Sequence, residues 1–239
     1  GGQEGSGQKD RRIVVNPLTD RTGIAGSRPS ITGRNLYLCT GDRPDLAEFL
    51  DGCIEGGVDI VQLRDKELEA RRIVQRADVA RRVCADHGVP FILNDRPDLA
   101  LEVGADGVHV GQDDASPALA RRILGPDAIV GLSTHATSEL DASVTEPVTY
   151  VSAGPVEATP TKQGRPGTGT GYVAYAVERA GRPVFITGGV TPETVPGLAA
   201  VGARCFVVVR YLTESDDPRA AARALRRAID AADAAGEND

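Results

Sequence analysis

The sequence predicts a single-domain α/β protein, a closed (β/α)8 TIM barrel, and three observations carry that prediction. From Asn35 onward, short β-branched runs alternate with amphipathic stretches at intervals of roughly twenty to thirty residues, the rhythm of repeated βα units. A glycine turn from helix to strand recurs in Glu55-Gly-Gly-Val-Asp59, Glu102-Val-Gly-Ala-Asp106 and Ala200-Val-Gly-Ala-Arg204, with a second echo in Gly88-Val-Pro90 and Gly181-Arg-Pro183. No linker or break in composition divides Asn35 from about Ala235. The 239 residues suit one barrel. Eight strands favour closure over the open α/β sheets that the same alternation permits.

The first strand is Leu36–Cys39. The second, Asp59–Arg64, has a period of two that puts Ile60, Gln62 and Arg64 on the inward face, with Lys66 in the loop that follows. Glutamine both donates to and accepts from a heterocycle, and two cations suit an anionic leaving group; a charged helix start is the other reading. The helix over Glu67–His87 carries Ile73, Ala77, Ala80 and Cys84 on one face, and Gly88 stops it. The third strand, Pro90–Asn94, runs into Asp95, and the fourth, Gly107–Val110, into Gly111-Gln-Asp-Asp114. Neighbouring strands lie about 5 Å apart, so Asp95 and Asp114 can reach one hard cation such as magnesium; as helix caps they would have no such role.

The fifth strand, Ala128–Leu132, leads to Ser133, Thr134 and His135, hydroxyls that either face a ligand or cap a helix. After the sixth, Val148–Ser152, comes a long loop with Thr159, Thr161, Lys162 and Arg165 among glycines and prolines, either a lid over an anion or a surface loop. The seventh, Pro183–Thr187, ends in Gly188-Gly189, and the eighth, Arg204–Val209, in Arg210. Backbone N–H groups at these two positions are where barrels commonly grip phosphate. His87 reads as an exposed helix end, His109 as a packed inward residue and His135 as a neighbour of the site, none of them catalytic. The polar residues thus gather after the strands, on the face where barrel enzymes build their sites.

Composition narrows the function classes. A net charge of −7 argues against a nucleic-acid binder, which gains affinity from a basic face, whereas a small phosphorylated ligand needs only a few local cations. The arginine pairs Arg71/Arg72, Arg81/Arg82, Arg121/Arg122 and Arg226/Arg227 fall in helical stretches and read as solvated faces. Cys39, Cys53, Cys84 and Cys205 are far apart, with no C-x-x-C pair, which suggests neither zinc nor disulfides and fits a cytoplasmic protein. No apolar run reaches the roughly 20 residues of a membrane span. Residues 1–34 read as an appended remnant plus a flexible arm, 35–235 as the catalytic barrel and 236–239 as a tail.

The ordered set Gln62-x-Arg64-x-Lys66, Asn94-Asp95, His109-Val-Gly-Gln-x-Asp114, Gly131-Leu-Ser133, Gly154-Pro with Thr159-x-Thr161-Lys162, and Gly188-Gly189 resembles the thiamine phosphate synthase family across nearly the whole domain. The resemblance implies a transferase of thiamine biosynthesis that joins 4-amino-2-methyl-5-hydroxymethylpyrimidine diphosphate to hydroxyethylthiazole phosphate or its carboxylated form. It implies that pyrophosphate leaves the pyrimidine methylene and that the thiazole nitrogen captures the stabilised cation. By the same resemblance, Gln62, Arg64, Lys66, Asn94 and Lys162 contact the pyrimidine diphosphate, and Asp95 and Asp114 hold Mg2+. Ser133 lies near the reacting centre, and Thr159, Thr161, Gly188, Gly189, Val209 and Arg210 bind the thiazole phosphate. Arg64, Lys66, Ser133 and Lys162 are then the catalytic set. The expected partners are these two small molecules, with neither nucleic acid nor membrane, and a homo-oligomer is open.

Two positions depart from the family pattern. Glu157 and Ala158 stand where an aromatic or bulky apolar residue and often proline are usual, and Arg210 replaces a small serine. The competing readings are a thiazole tautomerase of the same superfamily, which needs neither diphosphate nor metal, and an inactive phosphate-binding barrel.

Overall fold

A computed structural model describes residues 29–158 and 166–236. Eight parallel strands follow one another around a closed barrel: β1 (Leu36–Thr40), β2 (Ile60–Leu63), β3 (Phe91–Asn94), β4 (Gly107–Val110), β5 (Ile129–Thr134), β6 (Tyr150–Ala153), β7 (Val184–Thr187) and β8 (Cys205–Val208). β8 pairs with β1, Leu36 opposite Phe206, which closes the ring. The helices alternate with them as α1 (Leu46–Glu55), α2 (Ala70–Asp86), α3 (Pro97–Val103), α4 (Pro117–Leu124), α5 (Thr137–Ser143), α6 (Gly169–Arg179) and α7 (Val195–Ala200), then α8 (Arg210–Thr213) and α9 (Pro218–Gly236). All eight predicted strands are present, most shortened by a residue or two, while β5 runs on to Thr134. The short α8, inserted directly after β8, was not visible in the sequence pattern. Among the described residues no helix is long and apolar enough to cross a membrane.

Strand alternation sorts the side chains into two layers. Outward residues such as Leu36, Leu38, Val61, Leu63, Phe91 and Leu93 join the apolar helix faces in one continuous core. Inward residues Tyr37, Ile60, Ile92, Ile129, Tyr150 and Phe185 fill the barrel itself. The inner layer leaves little room at two glycines. A Cβ on Gly107 would lie 2.0 Å from the Ile129 carbonyl oxygen, and one on Gly131 would lie 2.2 Å from Cζ of Tyr150. Both are places where a strand gives up its side chain so that a neighbour's can cross the barrel axis.

Two expectations change here. Residues 29–34, assigned above to the arm, pack against the barrel: Ile31 is buried with the inner layer, and Arg34 donates to the carbonyls of Asp59 and Gly88. An apolar side chain is needed there because the lower end of the barrel would otherwise open its inner layer to water. Nor are all the arginine pairs solvated. Arg121 donates to the carbonyls of Pro126, Ala128 and Pro147, and Arg226 to the Gly57 carbonyl and the Asp59 carboxylate. Each guanidinium fork satisfies strand-start carbonyls that no strand or helix pairs.

Candidate active site

A cavity of about 820 Å³ opens at the C-terminal ends of the strands. From β2 it is lined by Gln62, Arg64 and Lys66, and from β3 by Asn94 and Asp95. β4 and β5 contribute Asp114 and Ser133, and the far wall is Gly188 and Gly189 after β7 with Val209 and Arg210 after β8. Eleven predicted residues therefore share one space. Thr159, Thr161 and Lys162 lie outside the described residues.

The carboxylates sit where β3 and β4 end side by side, with Asn94 opposite His109 in register. Asp95 has a left-handed backbone, φ 60°, and forms an ion pair with Lys66, Nζ to Oδ2 3.0 Å. Burial pushes the Asp95 carboxyl above its ordinary range; Lys66 opposes this and the neighbouring Asp114 adds to it. Asp114 turns back to accept from the Gly111 N–H at 2.9 Å. Neither carboxylate caps a helix. The cap position of α3 is Arg96, without a side-chain bond, and that of α4 is Ser116, whose Oγ accepts from the Leu119 N–H at 3.2 Å. Likewise Thr134 donates to the Ser152 carbonyl and Ser133 faces the cavity, so the capping alternative for that pair falls away.

The cations are distributed on both sides. Arg64 is half-buried and Arg210 exposed, and neither side chain bonds to any described residue. They are thus available to an anion entering the cavity. On the far wall Gly188 and Gly189 have φ of 94° and 79°, and no side chain fits there: a Cβ on Gly188 would be 2.5 Å from Pro155 Cβ, and one on Gly189 2.8 Å from Glu157 Oε2. The unusual Glu157 therefore lays its carboxylate over the turn where a phosphate is expected.

At the floor of the cavity runs a hydrogen-bonded set of polar residues whose two tyrosines, Tyr37 and Tyr150, sequence reasoning missed. Tyr37 and Tyr150 are fully buried inside the barrel with their hydroxyls 2.9 Å apart. Gln62 Nε2 donates to Tyr37 Oη at 2.7 Å, His109 lies between Tyr150 Oη (3.0 Å) and Ser133 Oγ (2.9 Å), and Gln112 Nε2 donates to the Ser133 carbonyl at 2.7 Å. The available signal was the inward period itself: a tyrosine inside a barrel carries a hydroxyl that must find a partner. His109 is packed inward as expected, His87 pairs with Asp51 at a helix end, and His135 pairs with Glu139 at the cavity rim.

Chemically, the described residues offer two carboxylates, several cations and fixed hydroxyl donors. Burial pushes the Cys53 and Cys205 thiols up to about 12 and raises Cys84 further, so none of the three is a thiolate near neutrality.

Comparison with known proteins gives one answer. A sequence profile described as thiamine monophosphate synthase matches residues 36–212. A thiamine-phosphate synthase of Thermobifida fusca is 48% identical over 214 residues, covering 87% of this chain and 98% of that protein. One of a Mycobacterium species (strain KMS) is 43% identical over 214 residues, covering 84% and 95%. Among solved structures, a thiamine phosphate pyrophosphorylase from Pyrococcus furiosus superposes with a TM-score of 0.76 at 26% identity, covering 83% of this chain and 96% of that one. A 3-hexulose-6-phosphate synthase shares the fold at 22% identity, with a TM-score of 0.61 over 81% of this chain and 99% of that one.

Proposed function

The chain belongs to the thiamine monophosphate synthase family, and from that premise we propose how its cavity joins an aminopyrimidine methyl diphosphate to a thiazole phosphate. It is a transferase that makes thiamine phosphate; the relatives favour this reading over the tautomerase and the inactive barrel. The observation that carries the proposal is the charge arrangement at the ends of β2, β3 and β4. Lys66 is paired with Asp95 at 3.0 Å, and Arg64 and Asp114 line the same cavity, which is open to solvent on one side.

A diphosphate in that space brings its negative charge to Arg64 and Lys66, with Lys162 added from the sixth loop. Asn94 and Gln62 are the neutral donors and acceptors suited to the aminopyrimidine ring. As the bond to the methylene lengthens, charge builds on the departing oxygen. Cations and hydroxyl donors already in place stabilise that charge without reorganising. No protein nucleophile or strong base is needed for this step. The second substrate's phosphate docks at the opposite wall, on the Gly188-Gly189 and Val209-Arg210 turns with Thr159 and Thr161. Arg210, the departure from the family pattern, then acts as an added phosphate donor.

The donor set also fits magnesium. Among the described residues no three ligating side chains converge, but magnesium binds through one or two carboxylates and takes its remaining oxygens from water and substrate phosphate. Asp95 and Asp114 are two such carboxylates, close enough that Asp114 helps to push the Asp95 carboxyl above its ordinary range. When bound there, the ion supplies positive charge to the diphosphate oxygens. We propose a cytoplasmic location, consistent with four cysteines that form no disulfide among the described residues.

The test mixes both substrates with the protein, with and without magnesium, and measures pyrophosphate and thiamine phosphate. Equal amounts of both products, dependent on metal, are expected. Thiazole isomerisation without pyrophosphate release would overturn the proposal.

A further inference from the structure

A single hydrogen-bonded line crosses the barrel interior from Gln62 to Ser133, and its chemistry gives it a direction. Gln62 Nε2 can only donate, so Tyr37 Oη accepts at that end. The Cys39 thiol donates to Gln62 Oε1 at 3.4 Å, which keeps the amide in this orientation. Tyr37 then has its own proton for Tyr150 Oη, 2.9 Å away, and Tyr150 in turn has its proton for His109 Nδ1 at 3.0 Å. With Nδ1 accepting, the neutral ring carries its proton on Nε2 and donates to Ser133 Oγ at 2.9 Å. Ser152 Oγ also donates to Ser133 Oγ, at 3.4 Å. The Ser133 oxygen is thereby supplied with donors, and its own proton is left for the cavity.

Burial favours the same assignment, because it raises both phenols far above neutral pH and leaves each with a proton to pass on. Packing marks the central junction independently. A Cβ on Gly131 would lie 2.4 Å from Tyr150 Oη and 2.5 Å from His109 Nδ1, so the bare glycine makes the space in which these two atoms meet. The reverse direction, with Ser133 donating to a basic His109, would end with Tyr37 pointing a proton at the Gln62 amide nitrogen, which has no lone pair to accept it.

We infer that Tyr150 is a positioning residue: acting through His109, it holds Ser133 as a hydrogen-bond donor aimed at the leaving diphosphate and ties that donor to the pyrimidine end of the cavity at Gln62. The identity of the leaving group rests on the function proposed above, whereas the direction of the line does not. The serine and histidine thus resemble a nucleophile and base only in distance; their proton order is opposite.

Two measurements test this. Long-range 15N NMR of histidine-labelled protein without substrates should show His109 as the Nε2–H tautomer with a pyridine-like Nδ1, and Tyr150→Phe should release that lock. An Nδ1–H tautomer in the native protein would overturn the inference even if turnover is as proposed. In steady-state assays Tyr150→Phe should lower kcat roughly tenfold with little change in either KM, and Ser133→Ala should lower it by about 10²-fold, the range seen when one transition-state donor is removed. The double variant should be no slower than Ser133→Ala alone, because Tyr150 acts through the hydroxyl already removed. Losses that simply multiply would show that Tyr150 only supports the fold.

Discussion

Asp95 combines two unusual properties: it is the one described non-glycine residue with positive φ, and its carboxyl is pushed up beside a second carboxylate. Aspartate tolerates this backbone better than most residues, and the conformation turns its side chain toward Lys66 and Asp114 instead of into a helix cap. At the opposite wall, Glu157 lays its carboxylate over the Gly188-Gly189 turn, the proposed place of the thiazole phosphate. Exposed charge pairs are worth about 0.2–1 kcal/mol, so Glu157→Gln should lower KM for the thiazole phosphate by roughly 1.4- to fivefold and leave the pyrimidine KM unchanged in initial-rate assays. Arg210→Ala should act the other way. Loss of a charge-assisted hydrogen bond of about 1.5–3 kcal/mol would raise the thiazole phosphate KM at least tenfold. The cavity-lining residues on β2 to β5 were legible because polar side chains at inward positions of strand ends have little structural use. Tyr37 and Tyr150 were not, since an inward aromatic looks like core. Nor was the Ser133 to His109 contact. It depends on His109 standing opposite Gly131, which puts Ser133 one inward step higher on the neighbouring strand.

At the scale of elements, the sequence echo proved to mean more than a tight turn. Gly57 and Gly104 have the expected positive φ, but the aspartate two residues on holds the start of the preceding strand. Asp59 accepts from the N–H groups of Asn35 and Leu36, and Asp106 from that of Phe91 at 2.8 Å; Thr149 does the same for Val130 at 3.0 Å. β2, β4 and β6 are thus each preceded by an acceptor for the strand before them. In the third echo the position is Arg204, which instead donates to the carbonyls of Ala199 and Ala203. This coupling was hidden because the recipient N–H lies more than a dozen residues away and is set only by strand pairing. Asp106→Ala leaves the Phe91 N–H without that partner. It should cost about 1–3 kcal/mol in denaturant unfolding while both KM values stay unchanged.

For the whole molecule, the barrel was legible because every βα unit announces itself locally, and closure needs only eight of them in order. The lower end was less so: Ile31 plugs the inner layer from a segment whose composition has no pattern. Despite a net charge of −7, the cavity at the strand ends places Arg64, Lys66 and Arg210 beside the carboxylates Asp95, Asp113, Asp114 and Glu214. Under the proposed function an acidic protein can therefore hold two phosphorylated substrates, and the proposed division of the cavity, with the diphosphate and its metal at the ends of β3 and β4 and the second phosphate at the far wall, is the feature on which the chemistry would depend. That division is tested most directly by titrating magnesium against the initial rate of pyrophosphate release for the native chain and Asp95→Asn. The native rate should rise from near zero to saturation, and Asp95→Asn should lower the saturated rate by about 10²-fold and require more metal to reach it. An unchanged magnesium curve in the variant would contradict the placement of the diphosphate and its ion at the ends of β3 and β4.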